Sequence, residues 1–86
     1  MESYELRFAK SFDRDFRSLP RHETPKILER VLKLEDDPRP AQSRKLKGTK
    51  NEYRLRVGDY RVFYTIDDKG RVVTVFHVAH RREAYR

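Results

Sequence analysis

Residues 53–64, Tyr-Arg-Leu-Arg-Val-Gly-Asp-Tyr-Arg-Val-Phe-Tyr, alternate apolar and basic side chains on both sides of a Gly58-Asp59 pair. Glycine followed by aspartate between two such runs is a two-residue β-hairpin signal, and a loop that short fixes the strand register. Val57 then faces Tyr60, Arg56 faces Arg61, Leu55 faces Val62, Arg54 faces Phe63 and Tyr53 faces Tyr64. Because strand side chains alternate between faces, Tyr53, Leu55, Val57, Tyr60, Val62 and Tyr64 share one apolar face. Arg54, Arg56, Arg61 and Phe63 point the other way. Like charges opposite one another weaken an antiparallel pair by several tenths of a kcal/mol to about 1 kcal/mol, so this face calls for an anion. Charges also serve to block edge pairing, but that role needs no single sign, and no acid within residues 53–64 shares this face with the three arginines.

The remaining elements follow from periodicity. Tyr4-Glu5-Leu6-Arg7-Phe8 alternates as a half-buried strand does. From Phe8 the period lengthens, and Phe8, Phe12, Phe16 and Leu19 form one stripe of a helix that Pro20 closes. A triple-phenylalanine stripe is assigned to packing rather than to base stacking. A second helix carries Ile27, Leu28, Val31, Leu32 and Leu34; it starts at Thr24-Pro25 or just after Pro20, and Asp36-Asp37-Pro38-Arg39-Pro40 ends it. The short connection makes an antiparallel helical hairpin. Lys45-Leu46-Lys47-Gly48 is a short extended piece, and Arg71 to Ala79 is a further strand entered through Asp67-Asp68-Lys69-Gly70. The expected order is β-α-α-β-β-β, a two-layer α+β fold with a helical hairpin on one face of a largely antiparallel sheet, forming a single domain over residues 1–86.

Eighty-six residues leave no room for a second domain, and a chain this short buries only about 60–65% of its extended surface. With no cysteine, disulfides, thiolate metal sites and a cysteine nucleophile are excluded, in keeping with a reducing cytosol. The N-terminal residues lack the apolar core of a signal peptide. No run approaches the length of a membrane span, so no membrane partner is expected. The charge of +7 is unevenly placed. Residues 1–43 hold nine Lys/Arg and nine Asp/Glu, whereas residues 44–86 hold twelve and five, so 12 − 5 = +7 lies wholly in the second half. An excess confined to one half points to phosphates or an acidic protein partner.

If the second turn is a clean four-residue loop, Arg61 faces Phe76, Thr74 faces Phe63, and His80 joins the arginine face; a one-residue slip sends His80 to the helix side and brings His77 over. Arginine stays charged near neutral pH and stabilises developing phosphorane charge rather than moving protons. The credible proton carriers are His80, His77, Tyr85 and a perturbed lysine. No histidine-carboxylate cluster has metal-ligand spacing, and there is no glycine-rich phosphate loop or serine-histidine-acid set.

Lys45-Leu-Lys-Gly48, Tyr53 to Tyr64 and Val78-Ala-His-Arg-Arg-Glu-Ala-Tyr-Arg86, with the helical hairpin ending in Glu35-Asp-Asp-Pro-Arg39, together resemble the RelE/ParE superfamily of type II toxin-antitoxin toxins. The RelE branch is the nearer one. The resemblance covers essentially the whole chain. It implies a cytoplasmic, ribosome-dependent mRNA endonuclease that cuts the messenger in the ribosomal A site without a metal or other cofactor, by 2′-OH attack on the adjacent phosphodiester. It implies as partners the ribosome with its mRNA and a cognate acidic antitoxin that masks the cationic surface. Carried onto this sequence, the catalytic positions are Arg61, Arg81 and Tyr85, and Arg54 and Arg56 hold RNA; Lys45, Lys47 and Phe63 are further candidates for holding RNA. A well-known relative has lysines where this chain has Arg54 and Arg56, one of them the favoured general base. Arginine keeps the charge without ready proton transfer, so His80 is the substitute candidate. The chain ends at Arg86, where many relatives have a further helix displaced by the antitoxin, so that mode of inhibition is not expected.

Two other classes compete. One is a ParE-like inhibitor of DNA gyrase that cleaves nothing, which has no evident use for Arg54, Arg56, Arg61 and Tyr85; the other is a non-catalytic RNA-binding relative.

Overall fold

Helix and strand periods alternate along the chain in the order β1 (Glu5–Phe8), α1 (Lys10–Arg17), α2 (Thr24–Leu32), a 3-10 turn over Lys33–Glu35, β2 (Ser43–Lys45), β3 (Glu52–Val57), β4 (Tyr60–Asp67) and β5 (Val72–His80). These bounds come from a computed structural model that describes residues 3–84. The strands form one sheet in the order β1-β5-β4-β3-β2. Among the described residues only the pairing of β1 with β5 is parallel. The α+β fold is the expected one, with one strand more than the expected order. The extended piece near Lys45 begins two residues earlier, at Ser43, and pairs with β3 as an edge strand.

The central hairpin has the register that alternation requires, from Tyr53 opposite Tyr64 to Val57 opposite Tyr60. Gly58 has φ +58° and Asp59 has no positive φ. Positive φ at the first loop residue alone matches a type II′ turn, whose twist suits the flanking strands. Leu55, Val57, Val62 and Tyr64 are buried on the helix face, where they meet Phe12 of α1 and Ile27 and Val31 of α2. Tyr64 is the largest fully buried side chain, and its hydroxyl donates to the Pro38 carbonyl at 2.7 Å. That bond satisfies a polar atom which would otherwise be costly to enclose.

The phenylalanine stripe packs as expected: the rings of Phe8, Phe12 and Phe16 follow one another at 5.3 and 5.4 Å. On α2 the buried stripe is narrower than expected. Ile27, Val31 and Leu34 recur at i, i+4 and i+7 and are fully enclosed, while Leu28 and Leu32 stand one position round the helix and are 37% and 49% exposed. One nine-residue helix over a small sheet edge can press only one such row against the core.

The second turn corrects the expected β4-β5 register. Strand pairing closes at Asp67 opposite Val72, leaving a four-residue loop that includes Arg71 at φ +54°. Phe63 opposite Thr74 would need the four-residue loop one position earlier, over residues 67–70. A bulge between Phe63 and Tyr64 then sets Phe63 opposite His77 and Arg61 opposite Ala79. The two-residue difference at the loop and the one-residue bulge make a shift of three, and an odd shift exchanges faces.

Candidate nucleic-acid interface

Four arginines line the sheet face turned away from the helices. Arg54 sits opposite Phe63 on β4 and opposite Arg44 on β2, and Arg56 sits opposite Arg61. Neighbouring strands lie about 4.8 Å apart, so the arginine backbones are close. Arg61 turns its guanidinium back over the hairpin loop, donating to the Gly58 and Tyr60 carbonyls at 3.0 and 2.9 Å. Gln42, Ser43, Arg44, Arg54 and Arg56 line a recess on the β2 side. Its wall is held by the Arg56 N–H, which donates to the Gln42 carbonyl at 3.1 Å, and by Arg30, which donates to the Gln42 amide oxygen at 3.0 Å.

Arg81 reaches the same end of the hairpin. Its backbone N–H donates to the Asp59 carbonyl at 2.7 Å, and its Nε lies 3.8 Å from the Asp59 carboxylate. Arg61 on β4 and Arg81, just past the end of β5, therefore flank one two-residue turn. Lys45 stands in register with Tyr53, on the helix side of the edge strand, and Lys47 is exposed in the following turn, so neither joins the arginine row. Arg44 does. The signal for it was the period-two alternation running back from Lys45, hidden because the strand start lay in a polar loop.

Phe63 is on the expected face but is not an open stacking surface. It is 8% exposed, covered by the rings of His77 and Phe76 at 5.2 and 6.4 Å. The bulge puts both rings over it. His80 is opposite Tyr60 on the helix side, edge-on to its ring at 5.5 Å, so the expected placement beside the arginines does not hold. Its Nδ1 accepts the Arg82 N–H at 3.2 Å, which puts the proton of a neutral imidazole on Nε2. Tyr85 lies outside the described residues. No group of three or more metal-ligating side chains occurs among the described residues, and no helix there is long and apolar enough to cross a membrane.

The family model described as ParE toxin of the type II toxin-antitoxin system parDE matches residues 6–85. Toxin RelG of Mycobacterium tuberculosis is 35% identical over 92 aligned residues, covering 96% of this chain and 97% of RelG. The chain belongs to the RelE/ParE superfamily. Its RelE branch is the one the solved structures share. The archaeal RelE-RelB complex from Pyrococcus horikoshii matches with 32% identity and a TM-score of 0.80, over 94% of this chain and 98% of the matched chain. The toxin-antitoxin complex RelBE2 from M. tuberculosis matches with 28% identity and a TM-score of 0.81, over 92% and 99%. This RelE-family toxin thus matches its relatives along nearly their whole length, with the arginine face on the sheet that the family has in common.

Outside that face, the RelE-family toxin has one well-built polar clip. Arg39 grips the Asp68 carboxylate through both terminal nitrogens at 3.2 and 2.8 Å, donates from Nε to the Tyr53 hydroxyl at 3.1 Å and lies over the Tyr53 ring at 5.1 Å. The Tyr4 hydroxyl donates to the same carboxylate at 2.8 Å. The Arg39 hydrogen bond, then that of Tyr4, hold the Asp68 carboxyl below the usual carboxylate range. The clip joins the loop after α2 to the β4-β5 turn.

Proposed function

We propose that this toxin is a ribosome-dependent endoribonuclease that cleaves mRNA in the ribosomal A site and thereby stops translation. The observation that carries the reading is the placement of Arg44, Arg54, Arg56 and Arg61 on one sheet face in mutual register. Guanidiniums suit phosphate oxygens because their planar fork donates two parallel bonds. In the reaction the 2′-oxygen attacks the adjacent phosphorus and the bond to the 5′-oxygen breaks. Arg61 and Arg81, meeting at the Gly58-Asp59 turn, supply positive charge to the phosphorane, a role that needs no proton transfer from them. Tyr85 joins them through the family resemblance.

Cytoplasmic ribosomes bearing mRNA are the proposed target. A cognate acidic antitoxin is the proposed inhibitor; the P. horikoshii and M. tuberculosis relatives are seen in complex with theirs. Its carboxylates take the place of phosphates on the same arginine face, so binding of antitoxin and of RNA is mutually exclusive.

The deciding experiment adds purified toxin to a cell-free translation reaction and maps messenger 5′-ends by primer extension. Cuts within codons, dependent on ribosomes, are expected. Intact messenger overturns the reading, and blocked gyrase supercoiling in the same preparation would establish the ParE-like alternative, which the description of the matching family model favours. Arg61→Ala should lower cleavage on the order of 10²–10³-fold while the circular dichroism spectrum stays unchanged.

A further inference from the structure

The bulge in β5 that removes His80 from the arginine face brings His77 onto it, opposite Phe63 and beside the Arg61 row. Its Nδ1 lies 2.6 Å from Asp15 Oδ2, a carboxylate 62 residues away on α1. The backbone fixes both ends of this contact. Ser11, one helical turn before Asp15, donates its hydroxyl to the Phe76 carbonyl at 2.5 Å and ties α1 to β5 at the bulge. The imidazole also stacks on Phe63 at 5.2 Å.

A carboxylate at that distance accepts a hydrogen bond from Nδ1–H, which leaves the Nε2 lone pair of a neutral ring free. His80 has the opposite polarity, because its Nδ1 accepts the Arg82 N–H. Of the two strand histidines, His77 is therefore the one set up to take a proton. The His77 side chain is 44% exposed and that of Asp15 22%, so the ring is reachable while its partner is half-sheltered. Across the sheet, the row Arg44, Arg54, Phe63, His77 runs over four successive strands on one face. A phosphate held by the arginines and a ribose next to it would span that row.

We propose that His77 is the general base of this toxin and that Asp15 is its positioning residue. The inference rests on the ribonuclease reading above. His77 Nε2 takes the proton of the 2′-OH as the 2′-oxygen bonds to phosphorus; the bond from phosphorus to the 5′-oxygen breaks, leaving a 2′,3′-cyclic phosphate. The 5′-oxygen takes a proton from water, and the imidazolium returns its own to solvent. The assignment resolves the difficulty of a site whose strand cations are all arginines.

The test compares wild type, His77→Ala, Asp15→Asn and His80→Gln in the cell-free cleavage assay at saturating toxin, measuring single-turnover rates. His77→Ala should lose about 10²–10⁴-fold and regain at least tenfold when imidazole is added, a rescue that a merely structural role would not give. Asp15→Asn should lose at least about tenfold. In ¹⁵N imidazole spectra at pH 8.5, wild-type His77 should be protonated at Nδ1, and that preference should vanish in Asp15→Asn. His80→Gln should cut at the wild-type rate. If wild type cuts and His77→Ala cuts equally well, or loses activity only with a lowered melting temperature and no imidazole rescue, this proposal is overturned and the ribonuclease reading survives. If wild type cuts no messenger, both fall.

Discussion

At the scale of single residues, the two faces of β4 assign different work to neighbouring side chains. Tyr64 points inward and is wholly enclosed, and burial pushes its phenol up to about 12. An unfolded tyrosine ionises near 10, so above that pH only the unfolded chain gains from losing the proton. Stability is fully present below about pH 10 and should fall as pH rises towards 12; Tyr64→Phe should flatten this limb in urea titrations followed by circular dichroism. The same variant leaves the Pro38 carbonyl without its donor and should lower stability at pH 7 by about 1–2 kcal/mol. These inward residues were legible in the sequence, because a two-residue loop and strict alternation leave a single register. His77 and His80 were legible only as alternatives. Their face depends on the parity of the distance along β5, and parity was set by a bulge that no residue in Val72–His80 advertises.

Element by element, the hairpin turn and the Arg39 clip hold the architecture from opposite ends of the sheet. A β-carbon on Gly58 would meet only the Lys26 ammonium at 3.6 Å, which is ordinary contact, so the cost of Gly58→Ala is conformational. It should lower stability by about 1–2 kcal/mol, read as a drop in the urea midpoint at unchanged m-value. Because Arg61 and Arg81 both bond to this turn, the variant should also weaken RNA cleavage before it unfolds the protein. At the other end, the depressed Asp68 carboxyl works in the opposite pH direction. Its contribution is present above the unfolded value near 4 and is lost as pH falls through the lower folded value. The urea midpoint of wild type should therefore decline below about pH 4 more steeply than that of Asp68→Asn. The clip escaped sequence reading for a plain reason: Tyr4, Arg39, Tyr53 and Asp68 come from four segments, and no local pattern links them. The edge strand was legible only as an extended piece from Lys45, because its start at Ser43 lies in a polar loop.

Over the whole molecule, the zero-charge first half and the +7 second half resolve into a helical layer for packing and a sheet whose outer face is cationic. Single-stranded RNA releases counterions with a slope of about −0.7 per phosphate neutralised. Four arginines in contact imply a log-log slope near −3, or about a 50-fold loss of affinity between 50 and 200 mM salt. Fluorescence anisotropy with a short RNA oligonucleotide should show this, and Arg56→Ala should reduce the slope by about 0.7. A slope near zero would mean that the arginine face does not hold the phosphates. The order of synthesis adds a last consequence. β5 is the last of the five strands to be made, yet it lies between the first strand and β4, and it carries the parallel pairing that closes the sheet. Until Val72–His80 emerges, β1 has no neighbour and β4 has an open edge. Pairing between such distant segments is slow to form. A nascent chain therefore cannot close this sheet, or bring His77 beside the arginine row, until β5 has been made.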